Sequence, residues 1–126
     1  MASETGALLN EVGNVLARDT RYPLDGTFLY VEADWGMVDM SIFKDLGDCL
    51  LWRDPMNGLA DVLLEVWEAE APEKRWVSMQ YCIKEGRFET FFIYEPLDPE
   101  VTTIDRRASI LQERYGNKQI VYPPLP

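Results

Sequence analysis

The sequence predicts an α+β domain: one antiparallel sheet of about five strands with helices packed on it, in the order α-β-β-β-α-β-β-α. Three observations predict it. Two stretches carry apolar residues at three- and four-residue steps, short aromatic and β-branched runs lie between and after them, and neighbouring runs are joined by brief turns. Brief turns join antiparallel neighbours, because a parallel pair needs a crossover of about a dozen residues or more.

Ser3 is placed to cap a first helix, on which Leu8, Leu9, Val12, Val15 and Leu16 mark one face, and the helix is expected to end near Asp19. The segment Arg21-Tyr22-Pro23-Leu24-Asp25-Gly26 has turn chemistry and leads into a first strand over residues 27–35, after which Gly36 permits a turn. Alternation puts Leu29, Val31, Ala33 and Trp35 on one face of that strand, and Phe28, Tyr30, Glu32 and Asp34 on the other. A second strand over 37–43 and a third over 49–53 complete an antiparallel meander.

Asp54-Pro55 reads as a helix start, with Asp as cap and Pro giving up an N–H that has no partner in the first turn. Leu59, Val62, Leu63, Val66 and Trp67 then form an apolar stripe, with Asp61, Glu65, Glu68 and Glu70 largely off it, until Ala71-Pro72 ends the helix. Runs over 75–84 and 87–94, joined across Glu85-Gly86, make a hairpin. Its aromatics Trp76, Tyr81, Phe88, Phe91, Phe92 and Tyr94 are expected to be mostly core, and so are Trp52 and Trp67. Beyond the loop Glu95-Pro96-Leu97-Asp98-Pro99, Thr102 or Thr103 caps a last helix through about Tyr115, closed by Gly116 as a left-handed residue. The prolines of the C-terminus forbid helix. With no internal repeat, low-complexity stretch or dividing linker, residues 1–126 read as a single domain with an extended Pro-rich tail over 117–126.

Composition narrows the function. A content of 47% hydrophobic and 12% aromatic residues supplies one packed core. The 22 acids against 12 bases give a net charge of −10, which repels nucleic acid and anionic membrane. Having no His removes Ser-His-Asp and Cys-His catalysis and the commonest metal ligand. Cys49 and Cys82 lie in apolar stretches and are read as buried thiols of a reducing compartment, too few for a disulfide framework or a zinc site. The N-terminus has no basic, apolar leader pattern and no stretch approaches the length of a membrane span, so a cytoplasmic protein is expected.

No catalytic motif stands out. Carboxylate pairs such as Glu89 with Glu95 or Asp34 with Asp39 arise by chance among so many acids, and Asp45, Asp48 and Asp54 lack the order of a calcium loop. There is neither GxGxxG nor GxxxxGK[ST]. No enzyme activity, cofactor or metal is expected. The charge distribution is more informative: from Glu32 to Glu73 eleven acids face only Lys44 and Arg53, so that block carries −9 of the total, while Arg106, Arg107, Arg114 and Lys118 exceed their local acids. A one-sided field interleaved with Trp35, Trp52, Met37 and Met40 suits capture of a basic partner, since complementary charge speeds encounter and aromatics anchor it.

Trp76-Val77-Ser78-Met79-Gln80-Tyr81, leading to Gly86-Arg87-Phe88, Phe91-Phe92-Ile93-Tyr94 and a late Asp105-Arg106-Arg107 helix ending at Tyr115, resembles the YezG-like immunity proteins of bacterial polymorphic-toxin systems. The likeness covers roughly residues 75–116, and the first half only in its order of elements; the tail from Tyr122 has no counterpart in the family pattern. The resemblance implies a cytoplasmic protein that binds the C-terminal domain of a contact-dependent, Rhs or type VI toxin, often a nuclease. It would occlude a basic active site with its own carboxylates, and needs no reaction of its own. On this reading Asp34, Trp35, Asp39, Asp45, Asp48, Glu65 and Glu68 contact the toxin, and the free protein is monomeric. The alternative is a type III secretion chaperone, which would form a homodimer through its second helix and hold an extended effector segment.

Overall fold

The computed structural model describes residues 4–34 and 37–122. Helix α1 (Glu4–Leu16) leads into the meander β1 (Thr27–Asp34), β2 (Met37–Asp45) and β3 (Cys49–Arg53). Helix α2 (Leu59–Glu68), a 3₁₀ turn (Pro72–Lys74), the hairpin β4 (Ser78–Lys84) and β5 (Arg87–Ile93), helix α3 (Thr103–Tyr115) and a short β6 (Gln119–Val121) follow. The fold is α+β, with three helices and one six-stranded sheet of order β5-β4-β1-β2-β3-β6. Every pairing is antiparallel except β3 with β6, which is parallel.

The alternation expected for β1 sorts the molecule into layers. Leu29, Val31 and Ala33 join the core beneath α1 and α2, with Val12, Leu16, Leu59, Leu63, Trp76 and Tyr81. Phe28 and Tyr30 belong to a second core with Phe43, Leu50 and Leu111, which lies under α3. Both faces of the central strand are therefore buried, and a strand so placed needs apolar residues on both sides for most of its length.

A close approach holds α1 on the sheet. The Tyr81 hydroxyl donates to the Leu9 carbonyl at 2.8 Å, and a Cβ on Gly13 would lie 2.9 Å from that hydroxyl oxygen. Gly13 leaves the room in which the buried ring sits.

Several expectations need correction. Helix α2 starts at Leu59, not at Asp54-Pro55, and its cap is Gly58 at φ 91° with no side-chain bond. The chain leaving β3 first crosses to the helical layer through a turn with positive φ, which glycine adopts readily, and Leu59 is then fully buried. Strand β2 runs to Asp45 and β4 begins at Ser78, after the 3₁₀ turn. Gly116 has the expected positive φ of 66°, but its ψ of −139° is extended and turns the chain into β6 instead of closing the helix in the left-handed conformation. Residues 119–121 of the extended tail are a sixth strand. Phe91, on the edge strand β5, and Tyr94, just beyond it, are exposed, while Trp52, Trp67, Cys49 and Cys82 are half-buried.

Other local signals hold. Glu85 and Gly86 take φ values of 55° and 74°, as the primed two-residue hairpin turn demands, and the Asp25 carboxylate accepts from both of their N–H groups. Thr102, not Thr103, caps α3: its hydroxyl oxygen accepts from the Asp105 N–H at 3.1 Å. The expected cap Ser3, the turn at Gly36 and the tail beyond Tyr122 lie outside the described residues. Among the described residues, no helix is long and apolar enough to cross a membrane.

Candidate functional site

The register of β1 on β2 sets Glu32 opposite Asp39 and Asp34 opposite Met37, so these four side chains share the face on which α3 lies. The loop after β5 and the start of α3 close over the same end. Between them is a cleft of about 340 Å³ lined by Glu32, Asp34, Met37, Asp39, Leu97 and Arg106, among others.

Its floor is a buried ionic network. Arg106 donates from Nε to Oε2 and from Nη2 to Oε1 of Glu32, both at 2.8 Å, the parallel geometry in which guanidinium matches carboxylate. The Thr103 hydroxyl donates to Oε1 at 2.7 Å and the Tyr30 hydroxyl to Oε2 at 2.6 Å. Glu32 is only 7% exposed. Burial raises its pKa, yet the bonds from Arg106, Tyr30 and Thr103 outweigh burial and hold the carboxyl below its ordinary value. The same burial, with Glu32 beside it, pushes the Tyr30 hydroxyl far up. With four donors on two oxygens, Glu32 is an anchored anion with no lone pair free to accept a proton from a substrate. Arg106 also donates from Nη1 to the carbonyls of Asp98 and Val101, which ties the loop to the network.

The rim has the opposite character. Asp34 and Asp39 are exposed and neither is in an ion pair among the described residues, while Met37 beside them is 74% exposed. The loop adds exposed Glu95, Asp98 and Glu100.

The remaining sequence-selected residues lie elsewhere. Asp45 is half-buried at the far end of β2 and bonds Lys118 at 2.9 Å; burial raises its pKa, but Lys118 and the Gly47 N–H outweigh this and the net shift is downward. Asp48 is exposed in the turn that follows. Glu65 and Glu68 are exposed on α2, across the sheet, beside a depression of about 310 Å³ that Leu8 and Ala69 also line. Trp35 lies outside the described residues. Thus Asp34 and Asp39 come together, and Asp45 with Asp48, and Glu65 with Glu68, form separate groups.

Sequence reasoning missed Tyr30, Thr103 and Arg106 as parts of the site and counted Glu32 in the acidic field. A signal existed: alternation placed Tyr30, Glu32 and Asp34 on one face, and the basic excess after Arg106 called for acidic partners. All four cations of that excess turn toward the sheet. Besides Arg106 on Glu32, Arg107 donates to the Ser41 hydroxyl at 2.7 Å, Arg114 lies over the Phe28 ring and bonds Gln80, and Lys118 holds Asp45. Among the described residues, no group of three or more His, Cys, Asp or Glu is placed to hold a metal ion.

The chain matches no protein-family model and no curated protein.

Proposed function

We propose that this protein works by binding, as a cytoplasmic immunity protein whose acidic surface occludes the basic active site of a toxin domain. The observation that carries the reading is the segregation of charge. The cations of the C-terminal segment are engaged against the sheet, and Asp34, Asp39, Glu95, Asp98 and Glu100 are left exposed at the end that holds the cleft. Exposed Met37 among them supplies the apolar contact that a charge-steered encounter needs in order to persist. The resemblance to YezG-like proteins over residues 75–116 supports the same reading and supplies the partner class.

The chaperone alternative requires a homodimer through α2. The apolar stripe of α2 is buried at Leu59, Leu63 and Val66, and its exposed positions include Asp61, Glu65 and Glu68, which a second copy would meet as like charges. This favours a monomer.

The test is co-purification with the products of the neighbouring reading frames, followed by affinity measurement of a folded basic partner at two salt concentrations. Asp34→Lys with Asp39→Lys is expected to weaken binding at least about tenfold and to flatten its salt dependence, because each reversal replaces an attraction with a repulsion. Unchanged affinity and salt dependence would overturn the electrostatic reading.

A further inference from the structure

The two edges of the sheet differ. β6 is three residues long, and the chain beyond it carries Pro123, Pro124 and Pro126, which have no N–H to offer a neighbour. β5 is seven residues long, contains no proline, and pairs with β4 in unbroken register from Ser78 opposite Ile93 to Lys84 opposite Arg87. A long regular edge of this kind presents a row of free backbone N–H and C=O groups. Along the α3 face its side chains are Arg87, Glu89, Phe91 and Ile93, and α3 leaves Phe91 49% and Ile93 43% exposed. Tyr94, just beyond, is 50% exposed.

Past Arg87, at the start of β5, the charge along this edge is of one sign. From Phe88 to Asp105 there is no Lys or Arg, and Glu89, Glu95, Asp98, Glu100 and Asp105 are all exposed. A second copy of the chain would bring the same acids and the same net charge of −10. A basic segment would meet opposite charge along the edge and beyond it.

We propose that β5 is a strand-addition site for an extended segment of a partner protein that carries apolar side chains opposite Ile93 and Phe91 and a basic one opposite Glu89. Backbone hydrogen bonds supply adhesion, and the alternate side chains supply the register. An antiparallel segment would place further basic residues before its first apolar one, where Glu95 follows the strand. The inference takes only the sign of the partner's charge from the proposed function, and adds a second docking surface to the cleft.

The probe is a synthetic peptide, Lys-Lys-Val-Thr-Val-Thr-Lys-Thr-Glu, titrated into the full chain while backbone hydrogen exchange is followed residue by residue. The expected result is slowed exchange at alternate amides of residues 87–93. Glu89→Lys should weaken the peptide about fivefold, by placing like charges across the pair, and Phe91→Glu should abolish the protection. Asp61→Lys, on α2, should leave both unchanged. Strand addition is overturned if β5 amides are not protected at millimolar peptide, or if a peptide with every Lys replaced by Glu binds as well. It is equally overturned if the free chain sediments as a dimer that Phe91→Glu dissociates. Because the peptide needs no toxin, this outcome is independent of the cleft reading: if Asp34→Lys with Asp39→Lys impairs toxin binding while β5 stays unprotected, strand addition alone fails.

Discussion

Arg106 grips Glu32 through two parallel hydrogen bonds of 2.8 Å, joining residues 74 positions apart and fastening the start of α3 to the central strand. Removing the half-buried guanidinium leaves the buried Glu32 carboxylate uncompensated. Arg106→Met is therefore expected to destabilise the fold by about 3–5 kcal/mol, and Arg106→Met with Glu32→Gln by clearly less than Arg106→Met alone. Urea unfolding of the two single variants and the double variant measures the coupling; additive losses would mean that the pair does not interact in the folded state.

The acidic limb of the stability profile follows from the same bonds. Glu32 is lowered against the opposing effect of burial, Asp19 by the Arg53 guanidinium at 2.6 Å, and Asp45 by Lys118 despite burial. Each folded pKa is below the unfolded one, so the unfolded chain binds more protons in the interval between them. The stability these groups contribute is complete above the ordinary carboxylate range and is lost as pH falls through their lowered values. Melting temperature against pH is expected to drop on that limb, and to drop less steeply in Arg53→Met.

Lys44 behaves in the opposite sense. It is 2% exposed, and its Nζ donates to the Thr27 hydroxyl at 2.7 Å and the Pro23 carbonyl at 3.2 Å, with no carboxylate within ion-pair distance among the described residues. Burial lowers its pKa more than nearby Asp19 raises it. Stability is expected to rise as pH climbs through that lowered value toward the ordinary lysine range. Lys44→Met should be more stable near neutrality by about 1 kcal/mol, since an apolar side chain there has no charge to desolvate. A destabilised Lys44→Met would show that its two neutral acceptors outweigh burial.

Gly13→Ala sets helix propensity against packing. Alanine in a helix interior is favoured over glycine by about 1 kcal/mol, yet its Cβ would stand 2.9 Å from the Tyr81 hydroxyl. We expect net destabilisation of about 1–2 kcal/mol, as for other overpacked core sites. Tyr81→Phe in the same chain should recover part of it, measured by thermal unfolding of the set.

Thr102→Ala removes the side-chain acceptor of the Asp105 N–H and is expected to cost about 1 kcal/mol. Thr103→Ala should differ in kind, because that hydroxyl bonds Glu32 at 2.7 Å. Slow exchange at the start of α3 should be lost in the first variant.

Much of the fold was legible because it rests on short-range rules. The period of two separated Leu29, Val31 and Ala33 from Phe28 and Tyr30, and each set joined a different core. Glu85-Gly86 specified its turn, and the period of three and four specified the buried faces of α1 and α2. Where a local signal competed with a distant requirement, it lost. Asp54-Pro55 has the chemistry of a helix start, but the path from β3 to the helical layer put that start at Leu59.

The sequence by itself determined the class of fold, the order of its elements and the sign of its charge, since these depend on periodicity and composition. Tertiary structure decided which acids remain available. Glu32 and Asp45 are taken by Arg106 and Lys118, whereas Asp34 and Asp39 are exposed beside a cleft and form no ion pair among the described residues. It also decided that residues 119–121 extend the sheet and that β5 is left as an edge. The physical reason is the same in each case: ion pairs and strand pairs form between residues far apart in the chain, and only folding brings them within reach of each other.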